Sequence, residues 1–141
     1  MFSLHPQLAK DTHVLGDFPL SRLLIAKDAN YPWCILVPKR EALREIHHLD
    51  EGDQHQLLKE SAALAAAMEL VFSPYKMNVA ALGNMVPQLH IHHIARFQSD
   101  AAWPKPIWGV VPATVYEPEL LERTIGQLRD ALKKAEVTFN E

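Results

Sequence analysis

The sequence predicts an α+β domain with a mainly antiparallel sheet. Two observations carry this. Short β-type apolar runs are bounded by turn residues, and two longer stretches repeat their apolar residues at helical spacing. The order along the chain is strands, helix, strands, helix, with no internal repeat or low-complexity tract.

Met1–Pro19 is mixed in pattern and shows only a turn at Asp17-Phe18-Pro19. Leu20–Ala26 is a short apolar run. Lys27–Pro32 carries turn residues, and Trp33–Val37 is a β-type run stopped by Pro38. These two runs predict an antiparallel hairpin. Asp50 is an N-cap, and Asp53 adds negative charge to the first turn behind it. Leu57, Leu64, Met68 and Val71 form one helical stripe that ends before Ser73-Pro74. Lys76–Leu82 and Leu89–Ala95 read as strands, with a Gly83-Asn84 turn between them. Ser99–Pro112 reads as loop, and its Trp103 and Trp108 read as loop packing ahead of a base-stacking platform. Leu121, Ile125, Leu128 and Leu132 place the final helix at about 117–136, with Pro118 in its first turn.

A length of 141 residues suits one domain, 1–141, and hardly two. A composition 48% hydrophobic and 22% charged excludes collagen-like, disordered and coiled-coil classes. Fourteen basic against seventeen acidic residues leave a net charge of −3, which removes any global attraction to a nucleic-acid polymer or an anionic membrane. The single cysteine, Cys34, excludes an intramolecular disulfide and a CxxC metal site, and reads as a small core residue. No apolar run is long enough to span a bilayer, and Met1–Gln7 lacks the basic-then-apolar pattern of a signal peptide. The expected location is the cytoplasm.

Three of the eight histidines, His90, His92 and His93, fall within four residues. On a strand, Gln88, His90, His92 and Ile94 share one face, while Leu89, Ile91, His93 and Ala95 share the other, which suits burial. Imidazole is the side chain best suited to nucleophilic and proton-transfer work near neutral pH. Three readings compete. The pair is polar surface; or His90 and His92 supply two ligands to a metal, with no third ligand nearby in sequence; or one histidine attacks a phosphate while the other steadies its oxygens. Lys39 and Arg96 read as solvated basic residues beside the site. His5, His13, His47, His48 and His55 receive no role.

Gln88-Leu-His-Ile-His-His-Ile94 resembles the histidine-triad motif, His-φ-His-φ-His-φ-φ with φ apolar. Asn78 and Gly83 stand upstream at family-like spacing, Pro38-Lys39 follows an apolar strand as in the family's earlier block, and Arg96 follows the motif. Gly83 to His92 is most similar to a bacterial subgroup with Gln at the first triad position, and the Trp-Pro and Pro-x-Trp-Gly of the following loop suit it too. The resemblance covers about residues 18–110. It implies a HIT-like fold, a five-stranded antiparallel sheet with two main helices, in a homodimer joined edge to edge. It implies a nucleotide hydrolase with His90 as nucleophile on the α-phosphorus, His92 bonding phosphate or leaving-group oxygens, and Gln88 orienting its neighbours. Asn78, Gly83 and Asn84 would contact phosphate or ribose, and Asp28 the ribose hydroxyls.

The resemblance implies a nucleoside phosphoramidate or dinucleoside polyphosphate as substrate, with no cofactor and no metal held by the protein. Two departures stand out. Gln88 cannot take up a proton, which removes a relay role. Trp33 stands where many members carry a further histidine, which removes a supporting partner of the triad. His93 reads as a hydrogen-bonded core or interface residue. The rival reading is a nucleotide-binding module with little turnover.

Overall fold

In the computed structural model, which describes residues 1–141, the chain runs α1 (Pro6–Asp11), β1 (Thr12–Asp17), β2 (Ser21–Ala26), β3 (Trp33–Pro38), α2 (Glu51–Phe72), β4 (Lys76–Ala80), β5 (Ile91–Arg96) and α3 (Pro118–Lys133). The five strands form one sheet in the order β1-β2-β3-β5-β4, and every neighbouring pair is antiparallel. The expected hairpin is β2–β3, with Leu23 opposite Leu36 and Ile25 opposite Cys34.

Helix α2 begins where its cap dictates. The Asp50 side chain accepts from the Asp53 backbone N–H, and Ser73 ends the helix in a left-handed conformation. Its buried face, Leu57, Leu64 and Met68, packs with Leu128 and Leu132 of α3 against Leu23, Ile25, Leu36, Ile91 and Ala95 of the sheet. Period-2 and period-3.6 apolar faces thus meet in one core. Cys34 lies in that core, and burial pushes its thiol up to about 12.

The first nineteen residues hold what the pattern leaves unassigned. His5 caps α1, its ring accepting from the Gln7 backbone N–H, and Pro6 fills the first turn. Strand β1 carries an irregularity between Val14 and Gly16 that breaks the alternation by which a strand is read. Gly16 sits against the C-terminal segment, where Asp17 and Asn140 bridge, and a Cβ there would collide with the Asn140 carbonyl and the Phe139 ring.

Glu60 of α2 is fully buried. Its carboxylate accepts from the backbone N–H groups of Leu20 and Ser21 and from Gln56 Nε2. The helix thereby fixes the start of β2. No helix is long and apolar enough to cross a membrane.

Candidate active site

Helices α2 and α3 cover one face of the sheet, so the site builds on the other, beside the short helix α1, whose Leu8 packs on Leu24, Ile35 and Val37. Strand β5 starts at Ile91, two residues later than the sequence suggests, because the Leu89 N–H bonds the Leu43 carbonyl instead of a strand neighbour. Face assignment survives the shift. Leu89, Ile91, His93 and Ala95 lie in or beside the helix-covered core, and His92 and Ile94 face away from it. His90 stands just before the strand, and the His90 and His92 rings are 4.8 Å apart between centres. Two residues along an ideal strand span about 6.5–7 Å.

Two hydrogen bonds fix the rings. His90 Nδ1 lies 2.7 Å from the Gln88 backbone carbonyl. A carbonyl only accepts, so Nδ1 carries the proton and Nε2 keeps a free lone pair. Trp33 Nε1 donates to His92 Nδ1 at 3.0 Å. An indole N–H only donates, so the His92 proton sits on Nε2. The two histidines are opposite tautomers: one presents a lone pair, the other an N–H. The expectation that Trp33 removes a supporting partner is corrected here, because the indole is that partner. The register places it there: Ile35 lies opposite His92, and Trp33 lies two residues along on the same face of β3.

Burial disfavours charge on both rings. It lowers His90, against the bond to the Gln88 carbonyl and with the charge of His5 adding to it. Burial pushes His92 down to about 3, helped by His90 and His93. His93 faces the core, its Nε2 2.7 Å from Ser61 Oγ and its Nδ1 donating to the Ile91 carbonyl. It is the hydrogen-bonded core histidine the sequence suggests.

His90 and His92 line a cavity of about 670 Å³ that also takes in Asp28, Trp33, Gly83, Asn84 and Trp108. Gly83 turns the wall with φ 72°, a left-handed conformation that favours glycine. Asp28 Oδ1 accepts from the Asn30 and Thr114 backbone N–H groups. The tryptophans divide. Trp108 is partly exposed and sets its ring edge-on to His92 at 5.0 Å, on the cavity. Trp103 packs on Tyr75 and Arg96, away from it.

Two candidate residues turn elsewhere. The Gln88 side chain binds the N-terminal segment, Oε1 accepting from His5 N–H and Nε2 donating to the Ser3 carbonyl. Gln88 orients His90 through its peptide carbonyl, not its amide. Asn78 Oδ1 accepts from Arg96, which is 1% exposed and also bonds Asp100 twice and the Lys105 carbonyl. Arg96 is therefore a buried tie for the loop that carries Trp108, not a solvated surface residue. Burial raises the Asp100 carboxyl, but Arg96 and the Phe97, Ala102 and Trp103 N–H groups outweigh it and hold the group at about 2. Lys39 is half-buried and pairs with Asp17.

The contacts of three positions around the site escape sequence reading. His5 is brought near His90 by the bond of its N–H to Gln88 Oε1, a contact spanning 83 residues. Trp33 is placed by strand register. Arg96 does leave a trace, an opposite charge four residues on at Asp100. His90 and His92 belong to no group of three His, Cys, Asp or Glu side chains arranged to hold a metal.

The sequence matches the HIT domain over residues 7–99. The chain belongs to the histidine triad family. A histidine triad protein of Bradyrhizobium japonicum is 46% identical over 93% of this chain and 98% of its own, with a TM-score of 0.92. One from Marinobacter aquaeolei is 48% identical over 95% and 98%, also at 0.92. One from Sinorhizobium meliloti is 34% identical over 93% and 97%, at 0.91. No curated protein matches the chain. Histidine triad proteins typically act on nucleotides, generally as hydrolases or transferases, and some members are non-catalytic.

Proposed function

We propose that this histidine triad protein hydrolyses nucleotide conjugates at the α-phosphate through a nucleotidyl-histidine on His90. The observation that carries the reading is the 2.7 Å bond from His90 Nδ1 to the Gln88 carbonyl. It leaves Nε2 unprotonated and free to attack, and burial keeps the ring neutral near pH 7. The Nε2 lone pair forms the N–P bond as the bond from phosphorus to the leaving group breaks. The Nδ1–H bond to the carbonyl then stabilises the cationic ring of the intermediate. Water releases the nucleoside monophosphate and returns His90 to its starting form.

His92 donates its Nε2–H to a phosphate oxygen. Gly83 and Asn84 offer their turn to the phosphate, and Asp28 keeps Oδ2 for ribose hydroxyls. Trp108 stacks on the base. Asn78 acts indirectly, through Arg96. The chain groups with bacterial members that carry Gln at the first triad position, in line with its bacterial relatives. A homodimer joined edge to edge, along the edge strand β4 with its exposed Val79, and a cytoplasmic setting complete the proposal.

The second reading, a binding module with little turnover, draws on one observation: the Gln88 amide is tied to Ser3 and His5. Release of adenosine monophosphate from diadenosine tetraphosphate or an adenosine 5′-phosphoramidate, lost in His90→Ala, is the result expected. Nucleotide binding by calorimetry with no release from either conjugate would favour the module.

A further inference from the structure

The hydrogen bonds around the triad also bear on the leaving group. Breaking the bond to phosphorus sends its electron pair to the departing atom. A phosphate or polyphosphate oxygen accepts that pair as a stable oxyanion and needs no proton. The nitrogen of a basic amine does need one, because an amide anion is far too basic to leave. A site for amine departure must therefore hold a proton donor whose conjugate base is stable.

The two residues flanking His90 on the triad supply none. His92 carries its ring proton on Nε2, and its Nδ1 is occupied by the Trp33 N–H. Giving up the Nε2 proton would leave an imidazolate, and gaining a second proton at Nδ1 would break the indole bond. The Gln88 amide does not titrate, and its side chain is committed to Ser3 and His5. The titratable groups around the cavity are otherwise His5, Asp11, Lys27 and Asp28. The His5 ring accepts the Gln7 N–H at Nδ1, Asp11 accepts from Gln7 Nε2, and Asp28 holds two backbone N–H groups. Lys27 is exposed at the edge of the cavity, and His90 and His92 bond Gln88 and Trp33, not its ammonium.

We infer that Trp33 is a specificity-determining residue: by fixing His92 as a hydrogen-bond donor that cannot release a proton, it directs the site to nucleoside phosphoanhydrides over phosphoramidates of basic amines. This rests on the α-phosphate hydrolysis proposed above. Trp33 acts through His92 and is a positioning residue.

The test measures kcat/KM of the full chain for diadenosine tetraphosphate and for an adenosine 5′-phosphoramidate of a primary alkylamine. General acid assistance is worth about a hundredfold or more, so the anhydride is expected to lead by about that factor. In Trp33→Phe, which frees His92 Nδ1 for a proton, the ratio narrows and amine release gains a dependence on pH that the parent lacks. Long-range proton–nitrogen NMR of the parent is expected to show His92 as the Nε2–H tautomer from about pH 5 to 8, where a free histidine titrates.

Equal or faster amine release by the parent overturns the inference while leaving α-phosphate hydrolysis intact, whichever residue supplies the proton. An unchanged ratio in a folded Trp33→Phe variant overturns the role of Trp33. If the variant does not fold, a doubly protonated His92 ring near pH 7 in the parent does the same. Release from neither conjugate, with binding intact, removes the hydrolase reading and this inference with it.

Discussion

The peptide carbonyl of Gln88 stands 2.7 Å from His90 Nδ1, while the Gln88 side chain turns away to Ser3 and His5. Orientation of His90, the proposed nucleophile, and anchoring of the N-terminal segment are therefore separate jobs of one residue. Gln88→His keeps the carbonyl and is expected to retain release of adenosine monophosphate. Gln88→Ala also keeps it but loses one partly buried and one exposed bond, at no more than about 0.5–1.5 kcal/mol each. Faster amide exchange at His5 is its expected signature. A fall in kcat beyond about a hundredfold in Gln88→His would assign the side chain itself a part in the chemistry.

The same residue shows where sequence reading stops. Period-2 alternation assigns His92 and Ile94 to one face and Ile91 and His93 to the other, because a strand alternates whatever its neighbours are. The cap at Asp50 and the stripe from Leu57 to Met68 fix α2 for a similarly local reason. Strand β1 escapes, since the irregularity at Val14 and Gly16 removes its alternation. The partners of the triad escape too. Trp33 meets His92 across two strands 59 residues apart, and Gln88 meets His5 across 83. Local pattern encodes which face a side chain takes, and long-range pairing decides what it touches there.

Arg96 and Asp100 form an ion pair whose side chains are 1% and 4% exposed. Arg96→Ala would leave the Asp100 carboxylate buried and unpaired and free Asn78 from its bond, at a cost of about 3–5 kcal/mol. Arg96→Lys is expected to lose much of this as well, because an ammonium cannot reach Asp100 twice, Asn78 and the Lys105 carbonyl together. Urea unfolding measures the loss. Since the same contacts hold the loop bearing Trp108, the KM for a nucleotide conjugate should rise more than kcat falls. Stability within about 0.5 kcal/mol of the parent would mean that the pair is relaxed in solution.

Glu60 caps the start of β2 from within α2, with both oxygens occupied by N–H donors. In Glu60→Gln one oxygen becomes an NH₂ group facing the Leu20 or Ser21 N–H, donor against donor. The expected loss is about 1–3 kcal/mol, as for a buried donor left without its acceptor. Glu60→Leu should lose at least as much, because it leaves both backbone N–H groups unpaired. The site lies on the opposite face of the sheet, so folded Glu60→Gln should keep the nucleotide KM of the parent. A Glu60→Gln variant as stable as the parent would show that the strand start is held by other means.

His93 makes stability depend on pH. Unfolded, its ring takes up a proton near 6.5; folded, burial lowers that to about 4, against the bond to the Ile91 carbonyl. Below about pH 6.5 the unfolded chain binds more protons than the folded one, so stability falls as pH falls. The contribution of the neutral ring is complete above 6.5 and gone below about 4, and is on the order of 3 kcal/mol at about 1.4 kcal/mol per pH unit. His92, at about 3, acts with the same sign and carries the loss to lower pH. His93→Gln retains an amide that can donate to the Ile91 carbonyl and accept from Ser61, but it cannot titrate. Its unfolding free energy should be lower at pH 7 and should fall less steeply between pH 7 and pH 5 than that of the parent. Urea denaturation at the two pH values decides it, and equal slopes would exclude His93 as the source of the pH dependence.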